Sequence, residues 1–135
     1  TFEDFVWWSG LTITDCRKAI HLLGDYLHKH ELFGEEFYLT EDCKVHGSYQ
    51  EEYQLMPSYD EYLISYKSRH LVLSSEYKHK AHNNNGIFHP IIAHKGVICG
   101  NWSPNSDDLQ PKFFLEEHSG NLRKEIDRYK NFLLK

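Results

Sequence analysis

Two apolar segments separated by three residues are the feature that most limits what this chain can fold into. Residues 87–93 and 97–102 are mostly apolar, and His94-Lys95-Gly96 lies between them. A connection of this length that ends in glycine is typical of a β-hairpin. A further strand is predicted at residues 112–116. The second half of the chain is therefore predicted to form a small antiparallel sheet.

The first part of the chain has a helical pattern instead. Residues 3–8 predict a short helix that a glycine ends. A second helix, capped by Thr12 or Thr14, is predicted to run to about Leu27, because apolar side chains recur there at helical spacing. Residues 32–39 predict a strand or small hairpin. This order of elements is typical of a helix-turn-helix followed by a wing.

The remaining segments predict a strand, two short irregular stretches and a closing helix. We expect the strand at residues 53–56, a short helix or turn at 60–66 and a loop at 79–86. Ser119 is expected to cap the closing helix, in which apolar side chains recur at i, i+4, i+7 and i+11. These side chains are Leu122, Ile126, Tyr129 and Leu133.

Together these elements predict an α+β architecture. Residues 1–54 are expected to form a truncated winged-helix unit, a helix-turn-helix plus wing. Residues 55–135 are expected to form a small, barrel-like antiparallel sheet with a C-terminal helix. The first helix of a complete winged helix would precede Thr1, and the sequence does not begin with methionine. We therefore expect a piece of a longer protein.

The charge of the chain is distributed unevenly. The formal net charge is −5, which by itself gives no reason to expect binding to nucleic acid. However, residues 1–66 hold 13 acidic and 4 basic side chains, whereas residues 67–95 hold 5 basic and 1 acidic. A local basic segment of this kind can contact phosphate even in an acidic protein. A solvated surface is the alternative interpretation.

Two groups of basic residues are candidates for contacting DNA. The first lies in the basic middle segment and comprises Lys67, Arg69, Lys78 and Lys80. The second is Arg17 with Lys18, near the start of the second helix, where a helix-turn-helix enters the major groove. Because Asp15 and other acidic residues surround the second group, we expect that helix to act as scaffold and favour the first group.

The histidines, cysteines and hydropathy predict no cofactor, no metal and no membrane span. Neither pair of close histidines has a second pair nearby to complete a tetrahedral metal site. These pairs are His28 with His30 and His79 with His82. The three cysteines form no Cys-x-x-Cys motif, so we expect a reducing, cytoplasmic setting. No apolar run approaches the roughly 20 residues that cross a bilayer.

Two motifs carry a resemblance to a known family. Residues 55–69 read Leu-Met-Pro-Ser-Tyr-Asp-Glu-Tyr-Leu-Ile-Ser-Tyr-Lys-Ser-Arg. They resemble a signature, approximately Leu-x-Pro-x-Phe-Asp-Glu-Tyr-Leu-x-x-Tyr-x-x-Arg, of the bacterial winged-helix family that includes the interstrand-crosslink DNA glycosylases. Residues 86–102 are similar to the family's Gly-x-Phe-x-Pro hairpin, which closes on a tryptophan. Residues 4–11 are similar to the start of its last winged helix.

The resemblance implies the C-terminal third of a tandem winged-helix protein, with double-stranded DNA and the upstream winged-helix domains as its partners. Glycosylase members carry a catalytic Gln-x-Gln or Gln-x-Asp motif near their N-terminus, and this sequence has no counterpart. We therefore expect a DNA-binding or scaffolding segment without catalytic residues of its own. The alternative is a structural or protein-interaction module that braces the upstream domains without touching DNA.

The signature residues are expected to be structural. They are Pro57, Asp60, Tyr62, Tyr66, Gly86, Pro90, Gly96, Gly100 and Trp102. Asp60 and its neighbour Glu61 would point in different directions, so we expect Asp60 to cap a short helix or to pair with Arg69. Tyr59, Tyr62 and Tyr66 are predicted to form one packed face, with base stacking as the alternative.

Overall fold

The computed structural model describes residues 1–43, 53–103, 109–116 and 120–133. These residues form helices and antiparallel sheets, so the predicted α+β class is confirmed. The chain divides into two compact units. The first is Thr1–His46 with Ile64–Ser68, and the second is Gly47–Leu63 with Arg69–Lys135. The domain boundary expected between residues 54 and 55 stays a prediction.

The first unit begins with helix α1 (Phe2–Ser9), close to the predicted bounds. Thr1 caps it, because its hydroxyl accepts a hydrogen bond from the backbone N–H of Asp4 and its N-terminal amine donates to the Asp4 carboxylate. Such a capping box satisfies backbone donors that a helix start leaves free. The helix ends at Gly10, which has a positive φ of 66°.

Helix α2 (Ile13–Leu23) follows a cap at Thr12, whose hydroxyl accepts from the backbone N–H of Asp15 at 3.1 Å. The predicted end near Leu27 is wrong. Gly24 takes a φ of 49°, a conformation that glycine adopts without steric cost, and this residue ends the helix. The chain then turns into a strand, so Leu27 belongs to the sheet and not to the apolar face of α2.

A β-hairpin completes this unit. Strand β1 (Leu27–Leu32) pairs antiparallel with strand β2 (Glu35–Thr40). Phe33 and Gly34 form the turn, and both have positive φ angles, 55° and 78°. Positive φ at both central residues matches the right-handed twist of the paired strands. The predicted hairpin is confirmed, although β1 begins earlier than expected.

The second unit contains a four-stranded antiparallel sheet in the order β3-β4-β5-β6. The strands are β3 (Tyr53–Met56), β4 (Ile91–His94), β5 (Val97–Asn101) and β6 (Lys112–Phe113). The central hairpin β4–β5 turns through Lys95 and Gly96, whose φ angles are 52° and 77°. The β-hairpin that the sequence predicts around His94-Lys95-Gly96 therefore lies at the centre of the sheet.

Strand β4 is shorter than the predicted strand at residues 87–93. Pro90 precedes it and has no N–H to donate to a strand ladder. Phe88 instead forms an isolated antiparallel bridge with His82. The expectation that a strand begins at residue 87 is therefore wrong. The strand expected at 112–116 is likewise shortened to two residues.

Three further helices lie between β3 and the C-terminal end of the described chain. Helix α3 (Glu61–Ile64) lies within the predicted short helix, and Asp60 caps it by accepting from the backbone N–H of Tyr62 at 2.9 Å. Helix α4 (Lys78–Ala81) occupies part of the stretch predicted as a loop. That prediction is wrong because Ala81 is fully buried, so tertiary packing holds the turn. Helix α5 (Arg123–Leu133) is the predicted closing helix, whereas Ser119 lies outside the described residues.

The sheet separates two apolar clusters. One contains Leu63, Leu73, Ala81, Ile91 and Ile98, and the other contains Ile92, Cys99, Trp102, Leu109 and Leu122. Neighbouring residues of β4 and of β5 fall in different clusters because side chains alternate along a strand. Ile126 and Tyr129 of α5 pack on the second cluster, but Leu133 is exposed. The predicted apolar stripe therefore ends at Tyr129.

The aromatic residues of the signature have three different environments. Trp102 is buried, and its indole N–H donates to the Met56 carbonyl at 2.8 Å. Tyr62 donates its hydroxyl to the Gly96 carbonyl at 2.6 Å. Tyr59 and Tyr66 are 54% and 44% exposed. The predicted packed tyrosine face is wrong, because α3 is too short to include either of them.

Candidate nucleic-acid interface

Lys67 lies in the first unit beside acidic side chains. Its Nζ is 3.5 Å from Glu3 Oε2, and its backbone N–H donates to Asp4 Oδ1 at 2.9 Å. Burial would raise the pKa of Asp4, but hydrogen bonds from Thr1 and from the backbone of Ser68 and Lys67 outweigh it and lower the pKa. Glu3 therefore competes with phosphate for the ammonium group of Lys67, and the Asp4 carboxylate lies against the Lys67 backbone.

The two basic residues of α2 also have local partners. Lys18 Nζ is 3.3 Å from Asp15 Oδ1, one turn earlier on the same helix. The Arg17 guanidinium carbon lies 5.7 Å from the centre of the Phe2 ring. Asp15 thus offsets part of the positive charge at the N-terminal end of α2. These contacts fit the expectation that α2 is scaffold.

Arg69 and Lys78 lie close to one buried imidazole, that of His82. The Arg69 Nε donates to the Leu63 carbonyl, and its guanidinium lies 5.4 Å from the centre of the Phe88 ring. His82 stacks on the same ring with 5.2 Å between centroids. Lys78 begins the helical turn that ends at His82, whose backbone N–H donates to the Lys78 carbonyl. The structure therefore brings two of the predicted DNA-binding cations together.

The environment of His82 favours its neutral form. The residue is only 8% exposed, and its Nε2 has no hydrogen-bond partner among the described residues. Burial, followed by the positive charges of Arg69 and Lys78, lowers the pKa of His82, against a hydrogen bond with the Asn83 backbone. No spacing or motif in the sequence distinguishes this residue among the ten histidines. Its burial distinguishes it from the other histidines that the structure describes.

Lys80 points its charge at aromatic rings. Its Nζ lies 4.9 Å from the centre of the Tyr77 ring and 5.1 Å from that of Phe114. The two rings are 4.9 Å apart, so the lysine covers an aromatic pair. A cation held over rings in this way is attracted by their negative faces. Lys80 is half-buried, whereas Lys78 on the same helix is exposed.

A further basic surface, which the sequence reasoning missed, lies on α5. An open groove of about 870 Å³ follows the exposed side of this helix. Its lining residues are Asn121, Arg123, Lys124, Asp127, Arg128, Asn131 and Phe132. Counting charge over the whole segment 96–135 concealed the groove, because six acidic residues balance six basic ones there. The helical spacing of Lys124, Arg128 and Phe132 at i, i+4 and i+8 is the signal that would have found it.

The described residues show no other candidate for chemistry. Nowhere in the described ranges do three His, Cys, Asp or Glu side chains group to hold a metal ion. Among the helices that the structure describes, none is both long and apolar enough to cross a membrane. Cys16 and Cys99 are buried free thiols, and Cys43 is an exposed one. The basic side chains are therefore the candidate functional residues of the described chain.

The fold is similar to part of a solved DNA glycosylase. The chain matches Streptomyces sahachiroi DNA glycosylase AlkZ with a TM-score of 0.76 and 19% sequence identity. The match covers 95% of this chain and 36% of that protein, so the chain spans about a third of the related structure. No curated protein matches the chain in sequence.

The sequence itself supports the same relationship. The family model described as "DNA glycosylase AlkZ-like" matches residues 1–132. The chain therefore belongs to the AlkZ-like DNA glycosylase family. The resemblance that the two motifs carried is confirmed over nearly the whole chain.

Proposed function

We propose that this chain is the C-terminal DNA-binding and scaffolding segment of a crosslink-repair type of DNA glycosylase, and that it is not itself catalytic. The family match over residues 1–132 carries the proposal. A glycosylase must hold a polar group beside the sugar to activate water. The Gln-x-Gln or Gln-x-Asp motif that supplies this group in relatives has no counterpart in this sequence. The proposed setting is the bacterial cytoplasm, and the proposed partner is double-stranded DNA.

The first unit is proposed to be the end of a winged helix. Helices α1 and α2 are joined by a glycine turn, and the hairpin β1–β2 follows in the position of a wing. That order supports the assignment. Because Asp15 is paired with Lys18, we assign α2 to scaffolding and not to reading the major groove.

The second unit is proposed to supply the phosphate contacts. Arg69 is held by a backbone carbonyl and lies over an aromatic ring, so its guanidinium is positioned in advance. Lys78 is exposed beside it, and Lys80 follows on the same helix. Positioned cations of this kind neutralise phosphates and release counterions. Lys67 has a smaller part in this proposal, because Glu3 already pairs with its ammonium group.

Binding to a fluorescent DNA duplex over a range of salt concentrations tests this assignment. Each lost phosphate contact lowers the slope of log affinity against log salt by about one. We expect the variant K78Q/K80Q to bind more weakly than wild type. The magnitude of its slope of log affinity against log salt should be smaller than that of wild type by about two. The matched variant K29Q/K112Q removes two lysine charges elsewhere on the chain and should keep more of the slope. An equal slope for all three proteins would contradict the assignment.

One observation favours the alternative, a module that braces other domains of the same protein. Trp8 of α1 and Leu22 of α2 are 66% and 84% exposed, and Ile13 is exposed on the same two-helix unit. Large apolar side chains left exposed can belong to an interaction surface. Under this alternative, preceding winged-helix domains would cover them. Wild-type chain that showed no salt-dependent affinity for the duplex would favour this role over DNA binding.

A further inference from the structure

We propose that the groove along α5 is a second phosphate-binding surface, which contacts the backbone of duplex DNA separately from Arg69 and Lys78. This inference rests on the proposed DNA-binding function and adds a contact to it. The groove is lined by three basic side chains, Arg123, Lys124 and Arg128, and by one acidic side chain, Asp127. None of these residues was a candidate in the sequence, and the family signature does not include them.

The two arginine side chains of the groove are available to a ligand. Arg123 and Arg128 are exposed, and within the described ranges no carboxylate forms an ion pair with either guanidinium. Elsewhere on the described surface, Lys18, Lys29 and Lys67 all have carboxylate partners. An arginine without a carboxylate partner keeps its planar set of donors for a phosphate. The excess of positive charge in the groove therefore favours an anionic partner.

The spacing of the lining residues suits an extended chain of phosphates. Lys124, Arg128 and Phe132 follow one another at i, i+4 and i+8, so they form a single row along α5. One helical turn advances about 5.4 Å, and long basic side chains can reach neighbouring phosphates of one strand from successive turns. A compact anion would need convergent cations, whereas this row is linear. The row therefore fits a nucleic-acid backbone better than a small anion.

The opposite side of α5 holds the row in place. Ile126 and Tyr129 pack on the apolar cluster that contains Trp102, and the Tyr129 and Trp102 rings meet edge to face at 4.9 Å. The backbone N–H of Arg123 donates to Asn121 Oδ1 at 2.9 Å, which caps the start of the helix. Phe132 is nevertheless 73% exposed at the other end of the row.

The test is the same salt titration with a labelled duplex, applied to R123Q/R128Q. We expect a slope reduced by about two relative to wild type. R123K/R128K keeps both charges and should recover most of the slope, which excludes a purely structural effect. K112Q/K130Q removes two positive charges that do not line the groove and serves as the matched control. F132A should weaken binding at every salt concentration without changing the slope, because the ring carries no charge.

The outcomes separate this inference from the proposed function. If wild type binds with a steep salt dependence and R123Q/R128Q has the wild-type slope, the groove proposal is overturned while DNA binding by the chain stands. If K112Q/K130Q loses as much slope as R123Q/R128Q, the effect is one of total charge and the groove proposal is again overturned. If wild type does not bind the duplex at all, the proposed function fails, and this inference fails with it.

Discussion

Among the histidines that the structure describes, His82 is the one whose side chain is buried. Its ring is stacked on Phe88, its Nε2 has no partner among the described residues, and Arg69 and Lys78 are close enough to disfavour a positive charge. A buried polar atom without a partner costs free energy, and a buried unpaired charge costs more. The side chain is therefore tolerated in its neutral form.

The stability of the chain should consequently depend on the charge state of His82. Because its pKa is lowered by folding, its neutral form stabilises the fold fully above the ordinary value of 6.5, and this contribution is lost as the pH falls through the folded pKa. We expect a lower midpoint of thermal unfolding at pH 5 than at pH 7.5, and a smaller difference for H82F. The exposed His79 provides the control H79Q, which should behave as wild type. An H82F variant with the full wild-type pH dependence would contradict this account.

At the scale of the element, the hairpin β4–β5 uses two glycines for different reasons. Gly96 has a positive φ of 77° in the turn, and a side chain there would meet only the Tyr62 hydroxyl, at 3.7 Å. Gly100 lies in the strand, where an added Cβ would be 2.7 Å from the Lys112 carbonyl oxygen and 3.1 Å from Phe113 Cα. The first glycine meets a conformational requirement of the turn, and the second allows the close approach of β6.

These two requirements predict different tolerances to substitution. G100A should lower the free energy of unfolding by about 1–3 kcal/mol or more, because the backbone of β6 has to move. G96N should cost less, because asparagine enters the left-handed region more readily than other non-glycine residues. Urea unfolding of both variants measures the difference. A G100A variant as stable as G96N would show that β5 and β6 do not approach as closely as described.

Local pattern predicted the elements whose causes lie within a few residues of sequence. The turn glycines, the cap at Asp60 and the two apolar segments that contain β4 and β5 all belong to this group. Local pattern failed for α4, where burial of Ala81 holds a turn in a stretch predicted as a loop. It also failed for the tyrosines, because helical spacing was assumed beyond the four residues of α3.

At the scale of the whole molecule, the chain is two compact units, and each contains one buried cysteine. Cys16 is fully buried in the first unit and Cys99 is buried in the second. Burial raises the pKa of the Cys99 thiol to about 11, so little reactive thiolate forms at neutral pH. Cys43 is exposed. The two buried thiols therefore report on the unfolding of different units.

Alkylation of the native chain should give one adduct, at Cys43, and three adducts after complete unfolding. Mass spectrometry of peptides after brief treatment with iodoacetamide at increasing denaturant would assign each adduct. We expect Cys16 to be modified when the first unit unfolds and Cys99 when the second does. The variant C43S provides the control, since its native form should remain unmodified. Rapid modification of Cys99 in the native chain would contradict its burial.

The sequence by itself determined the α+β class, the central hairpin and the relationship to the AlkZ-like family. These depend on spacing, on glycine and proline positions and on motif order, which are properties of neighbouring residues. Only the tertiary structure decided which basic side chains contact a carboxylate or an aromatic ring. Lys67 meets Glu3 across more than sixty positions, and Lys80 meets Phe114 across more than thirty. A charge's availability depends on the side chains that folding brings to it, and linear spacing does not encode these contacts.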